Sequence, residues 1–135
     1  MKTRIFLFLA VITISGMVFS TSVNAQDQAK AAPAIEWKTK TIDFGKIEQG
    51  KPVSAEFEFS NPSLSPLIIN SVRPTCGCTI ADYPKEPLAP GKSGKIAVTY
   101  NAAASGAFTK TILVTTNAED GQVALIIKGE VLTKN

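Results

Sequence analysis

The 135 residues are 44% hydrophobic and 19% charged, a length and balance that suit one hydrophobic core and not two domains. The 14 basic and 11 acidic residues leave a formal charge of +3, too weak to make a case for nucleic acid or an anionic membrane surface as partner. Histidine is absent, which excludes Ser-His-Asp and Cys-His catalysis by composition.

The first segment reads as an export signal. Lys2 and Arg4 supply a positive start, and an apolar stretch opens at Ile5 and runs with interruptions to Phe19. Val23-Asn24-Ala25 then offers small residues before a cut ahead of Gln26. Residues 1–25 are therefore expected to be a signal peptide, and the mature chain to be periplasmic or secreted, with no membrane insertion after cleavage. Thr13, Ser15 and Gly16 weaken the run as a permanent anchor, and no cysteine stands at the cut for lipidation. Loss of Lys2 and Arg4 brings the 14 basic residues nearly level with the 11 acidic ones. Residues 26–34 are polar and Ala-rich and read as a flexible leader.

From Ile35 to Leu132 the pattern is short strands between turn signals. Ile35 to Phe44 predicts one or two edge strands. Val53, Ala55, Phe57 and Phe59 alternate with polar residues, the period of a half-buried strand, and Asn61-Pro62-Ser63 ends it. Leu67 to Val72 is a second run. Ile96, Val98 and Tyr100 alternate after Ala89-Pro90-Gly91. Ile112 and Val114 sit in a Thr-rich run, and Leu125, Ile127, Gly129 and Val131 alternate to the end. The expected fold is an immunoglobulin-like antiparallel β-sandwich of about seven strands. Its core is predicted to hold Phe57, Phe59, Leu67, Ile69, Ile96, Val98, Ile112, Val114, Leu125 and Ile127. Trp37 is expected to pack at the sheet end. Lys110 shares parity with Phe108 and Ile112, so a bulge there or a later strand start is expected. Ile35 to Phe44 and Val123 to Leu132 are the expected sheet edges, guarded by Lys38, Lys40, Lys128 and Lys134.

The chemistry concentrates in Cys76-Gly77-Cys78, which holds the only two cysteines. In an extended strand their Cα atoms would lie about 6.6 Å apart, near the upper limit for a disulfide. A turn at Gly77 would shorten that span. An exported compartment favours oxidation, so a local Cys76–Cys78 disulfide is expected, strained and easier to reduce than a structural one. It closes too small a loop to stabilise the fold much. Three readings stand: a structural turn; a thiol–disulfide exchange site, with Arg73 and Lys85 as nearby cations; or a soft-metal site. Two thiolates suit Cu(I) but fall short of tetrahedral zinc. No cofactor motif is present: Gly91-Lys92-Ser93-Gly94 lacks the spacing and strand-to-helix context of a phosphate loop. The carboxylates show no general acid/base spacing.

Taken together, Ile42-Asp43-Phe44-Gly45-Lys46-Ile47, Gly50, Phe57-Glu58-Phe59-Ser60-Asn61, Cys76-Gly77-Cys78-Thr79, Leu88-Ala89-Pro90-Gly91 with Gly94, Lys110-Thr111-Ile112 and Lys128-Gly129-Glu130-Val131 resemble the bacterial domain of unknown function 1573. The resemblance covers Ile35 to Leu132 in the family's order. It implies an exported sandwich, common in Bacteroidetes, similar in fold to major-sperm-protein and Hydin-like immunoglobulin domains and without an established activity. Relatives of that fold mostly bind proteins. The expected role is non-catalytic protein binding in the cell envelope, the partner an envelope protein. The alternative is a redox or soft-metal module on Cys76 and Cys78.

Overall fold

The computed structural model describes residues 32–134, so the predicted signal peptide and most of the leader lie outside the described residues. The described part is all β. Its strands are β1 Glu36–Trp37, β2 Thr41–Glu48, β3 Val53–Ser60, β4 Ile69–Pro74, β5 Thr79–Asp82, β6 Ser93–Tyr100, β7 Gly106–Thr116 and β8 Gln122–Leu132. They form two four-stranded sheets, one in the order β1-β3-β6-β5 and the other β2-β8-β7-β4. This is the expected sandwich, with one more strand than the turn signals suggested.

Alternation builds each layer. In β3, Phe57 and Phe59 point into the sandwich at 0% and 2% exposure, while Glu56 and Glu58 face out. Glu56 is paired by Lys95 and Glu58 by Lys38. All ten predicted core residues are buried, joined by Tyr100, Ala102, Phe108, Ala118 and Val131. Trp37 lies at the sheet end, its ring 5.2 Å from that of Phe59.

Three expectations need correction. β2 and β8 run parallel, so the second sheet is mixed. Nearly the whole domain lies between these strands, ample length for a parallel connection. In consequence β8 sits between β2 and β7, and Val123 to Leu132 is interior rather than an edge. The edges are β1 and β5 of the first sheet and β2 and β4 of the second. Nor does β7 bulge at Lys110: its register with β8 runs unbroken from Gly106 to Thr115, and Lys110 is half-buried opposite Ile127. β4 pairs with β7 only as far as Pro74 opposite Ile112, so Lys110 lies where the sheet has lost that neighbour and its long side chain has an exit.

Two family motifs have structural explanations. Asp43 Oδ1 accepts the Gly45 N–H at 2.8 Å, and the β2 register shifts between Asp43 and Lys46. Gly45 takes φ +64°, and its carbonyl oxygen lies where a side chain on Gly129 would be: a Cβ there would meet it at 2.8 Å. Asp43-Phe44-Gly45 and Gly129 thus let β2 bulge against β8.

Candidate functional site

Cys76-Gly77-Cys78 forms the crossing from β4 in one sheet to β5 in the other. Thr75 still bonds to β7, its N–H donating to Thr111 O at 2.9 Å, and Cys78 O accepts the Asn101 N–H at 3.0 Å. The turn is therefore held at both ends. Cys76 and Cys78 are joined by a disulfide with Cα atoms 5.3 Å apart. That spacing is inside the usual range. The turn at Gly77 removes the separation argument for strain, and with it the argument for an easily reduced bond.

Both cysteines are half-buried, Cys78 packing against the core, while Thr75 and Gly77 are exposed. Thr79 is only 4% exposed, with Oγ1 3.5 Å from Cys76 Sγ and 4.0 Å from Cys78 Sγ. Disulfide sulfurs carry no proton, so the Thr79 hydroxyl is the donor. With both sulfurs bonded to each other, the oxidised form has no thiolate to offer a metal. Of the two cations named from sequence, Arg73 is exposed on β4, and Lys85 Nζ rests 3.1 Å from the Tyr83 ring centroid. Thr79, whose buried hydroxyl reaches both sulfurs, is the neighbour that sequence reasoning passed over.

The turn belongs to a tied cluster at one end of the sandwich. Gly50 N–H donates to Ala102 O at 2.9 Å, Gln49 Nε2 to Ala103 O at 2.9 Å and Gln49 N–H to Leu132 O at 3.0 Å. Ala102 is buried at φ 53°, the single non-glycine residue in the left-handed region among the described residues. Backbone strain of this kind tends to gather at functional positions. Ile80, 72% exposed, and Leu132, 43% exposed, add apolar surface at this end. The opposite end is organised by Asn61, read in the sequence only as a strand breaker. It is fully buried, donating through Nδ2 to Ser65 O at 2.8 Å and Leu88 O at 3.0 Å. Its Oδ1 accepts from Ser63 N at 3.0 Å and Ser63 Oγ at 2.6 Å.

A cavity of about 500 Å³ opens on β1, β3 and β6, away from the cysteines. Two of its charged walls are paired, Lys38 with Glu58 at 2.9 Å and Lys95 with Glu56 at 2.7 Å, whereas Glu36 has no ion pair among the described residues and the buried Trp37 Nε1 has no hydrogen-bond partner. The Lys38 ammonium, through its hydrogen bond and then its charge, holds the Glu58 carboxyl below the usual carboxylate value. Glu56 acts likewise on Lys95, raising it. These are partners on a solvated sheet face rather than groups awaiting a ligand.

The fold finds clear parallels. A protein of unknown function from Porphyromonas gingivalis W83 superposes with TM-score 0.67 at 19% identity, over 76% of this chain and 48% of that one. The seventh PapD-like (ASH) domain of human CEP192 gives 0.62 at 14% identity, over 88% of this chain and 99% of that one. The VesB protease of Vibrio cholerae gives 0.56 at 14% identity, over 74% of this chain and 31% of that one. This chain thus spans about half of the first and a third of the last, and the likeness is one of fold. No curated protein matches in sequence. The model of the family DUF1573, described as a protein of unknown function, matches residues 35–131, the whole sandwich with its Cys-Gly-Cys crossing, and the chain belongs to that family.

Proposed function

We propose that the chain is an exported, non-catalytic binding module of the cell envelope, which meets a protein partner through the loop end bearing Cys76-Gly77-Cys78. The observation that carries this reading is the construction of the β4–β5 crossing. A disulfide, a buried threonine hydroxyl and backbone bonds to β7 and Asn101 fix the turn, yet Thr75 and Gly77 face solvent. A rigid exposed turn loses little conformational entropy when it binds. Loops on a fixed scaffold are also where binding concentrates. Export rests on the positive start, apolar run and Val23-Asn24-Ala25 of the N-terminal segment.

The test is photocrosslinking in intact cells from probes at the exposed positions Thr75 and Gly77, set against probes at Lys38, just past edge strand β1, and Lys128, on interior strand β8. Adducts confined to the first pair support a loop-end site. Adducts confined to the second pair move the site to the sheet, and no adducts from any position remove the binding reading.

A further inference from the structure

We propose that β5 is a docking edge: an extended segment of the partner adds to it as a strand, with an apolar residue beside Ile80 and a lysine or arginine beside Asp82. This rests on the loop-end reading and names the chemistry of the partner there.

The four sheet edges differ in how they are protected. β1 has two residues. β2 is bulged between Asp43 and Lys46. β4 is bulged between Ile69 and Ser71 and ends in Pro74. Because Arg73 and Thr75 bond toward β7, Pro74 occupies the outward-facing phase and removes the donor that a new strand would need. β5 carries no bulge, proline or lysine, and it exposes Ile80, at 72%, and Asp82. Bulged and proline-bearing edges resist added strands and a two-residue strand offers them little to pair with, whereas β5 presents four unbulged residues.

The phase of the free groups follows from the register. Cys78 O takes the Asn101 N–H, so Cys78, Ile80 and Asp82 turn their backbone groups to β6, opposite Asn101, Thr99 and Ala97. Thr79 and Ala81 turn theirs outward, where no strand of the described residues pairs with them. A segment bonding to Thr79 and Ala81 would meet Ile80 and Asp82 as the close, non-hydrogen-bonded pairs. Ile80 then asks for an apolar neighbour. Asp82 asks for a cation: its carboxylate accepts only the Tyr83 N–H, at 2.9 Å, and has no ion pair among the described residues. Lys85 is committed to the Tyr83 ring and Lys95 to Glu56. A second copy of this chain fits less well, since four residues on each side fall far short of the ~800 Å² per partner of a stable dimer. A partner that also covers the Cys76–Cys78 turn has no such shortfall.

The experiment measures amide hydrogen exchange by NMR on the labelled, purified protein. The probes are a capped valine–lysine hexapeptide, Thr-Lys-Thr-Val-Thr-Thr, whose lysine and valine stand two residues apart so as to face Asp82 and Ile80 together, and its valine–glutamate counterpart with glutamate in place of the lysine, each at millimolar concentration. The valine–lysine peptide is expected to slow exchange at Thr79 and Ala81 about tenfold or more, and the valine–glutamate peptide less than about twofold. Asp82→Lys should reverse the preference, and Ile80→Lys should abolish protection while the rest of the spectrum is unchanged. Absence of slowing at Thr79 and Ala81, equal slowing by both peptides, or slowing at β2 or β4 instead overturns the proposal. So does a concentration-dependent doubling of mass that Ile80→Lys removes, which would assign the edge to a second copy. Adducts from Thr75 and Gly77 beside an unresponsive β5 would reject the edge and leave the loop-end reading intact.

Discussion

Asn61 offers the sharpest test of how this sandwich is held. Its side chain, itself without solvent access, joins the β3–β4 loop to the segment before β6 through two donated and two accepted hydrogen bonds. Asn61→Ala deletes the four bonds and takes the amide donor from the carbonyls of Ser65 and Leu88. At about 1 kcal/mol net for each bond, the loss is about 4 kcal/mol, a large share of the 5–15 kcal/mol available to a domain. Urea denaturation should show a midpoint lowered by roughly 2 M.

Asn61→Asp separates the donors from the acceptors. The carboxylate keeps both Ser63 contacts but turns an oxygen toward two carbonyls that need a donor. At neutral pH it should destabilise at least as much as alanine. Burial and the facing carbonyls push the folded carboxyl pKa above its unfolded value of about 3.9. The folded variant then binds the extra proton, so its stability rises as pH falls through the folded value and the deficit shrinks toward pH ~4. An alanine variant within ~1 kcal/mol of the parent, or an aspartate variant tolerated at neutral pH, would refute the assignment of Asn61 as the buried clasp.

Gly129→Ala would bring a Cβ to 2.8 Å from Gly45 O and 3.0 Å from the Phe108 ring, whereas Gly77→Ala meets nothing within 4 Å. Thermal unfolding should show a loss of ~1–3 kcal/mol for the first and under ~0.5 kcal/mol for the second, and equal effects would mean that the β2–β8 approach is loose. Replacing Cys76 and Cys78 together with serine should cost roughly 1.5 kcal/mol or less by the loop-entropy account, with far-UV circular dichroism unchanged, and a loss above ~3 kcal/mol would make the bond a true staple. Lys38→Met should raise the Glu58 titration midpoint toward the ordinary carboxylate value, read by carboxyl NMR, since Lys38 is the leading cause of its depression. The depressed folded value means that this pair's small contribution is present above the unfolded pKa and is lost as pH falls through the folded one; an unmoved midpoint would show that the contact is not populated.

The strands were legible because a two-sided layer writes its own period: Phe57, Phe59, Ile96, Val98, Ile112 and Val114 could face only one way. Pairing was less legible, because alternation says which face a strand buries and nothing about its neighbour. Val123 to Leu132 therefore looked like an edge from its terminal position, although β2 covers it in parallel. Lys110 misled for a related reason. Parity placed it on the inner face, and only the length of β4 reveals that this face is open at its row.

The same logic bears on the site. Cys76 and Cys78 were visible as chemistry, but their role depends on what flanks them, and the flanking residues come from distant segments: Thr111 and Asn101. Once those are in place the turn is ordinary in span and tied at both ends. The exposed strand that leaves it, with Ile80 outward and Asp82 without a cation, is then the feature at this end whose chemistry is least satisfied within the chain itself.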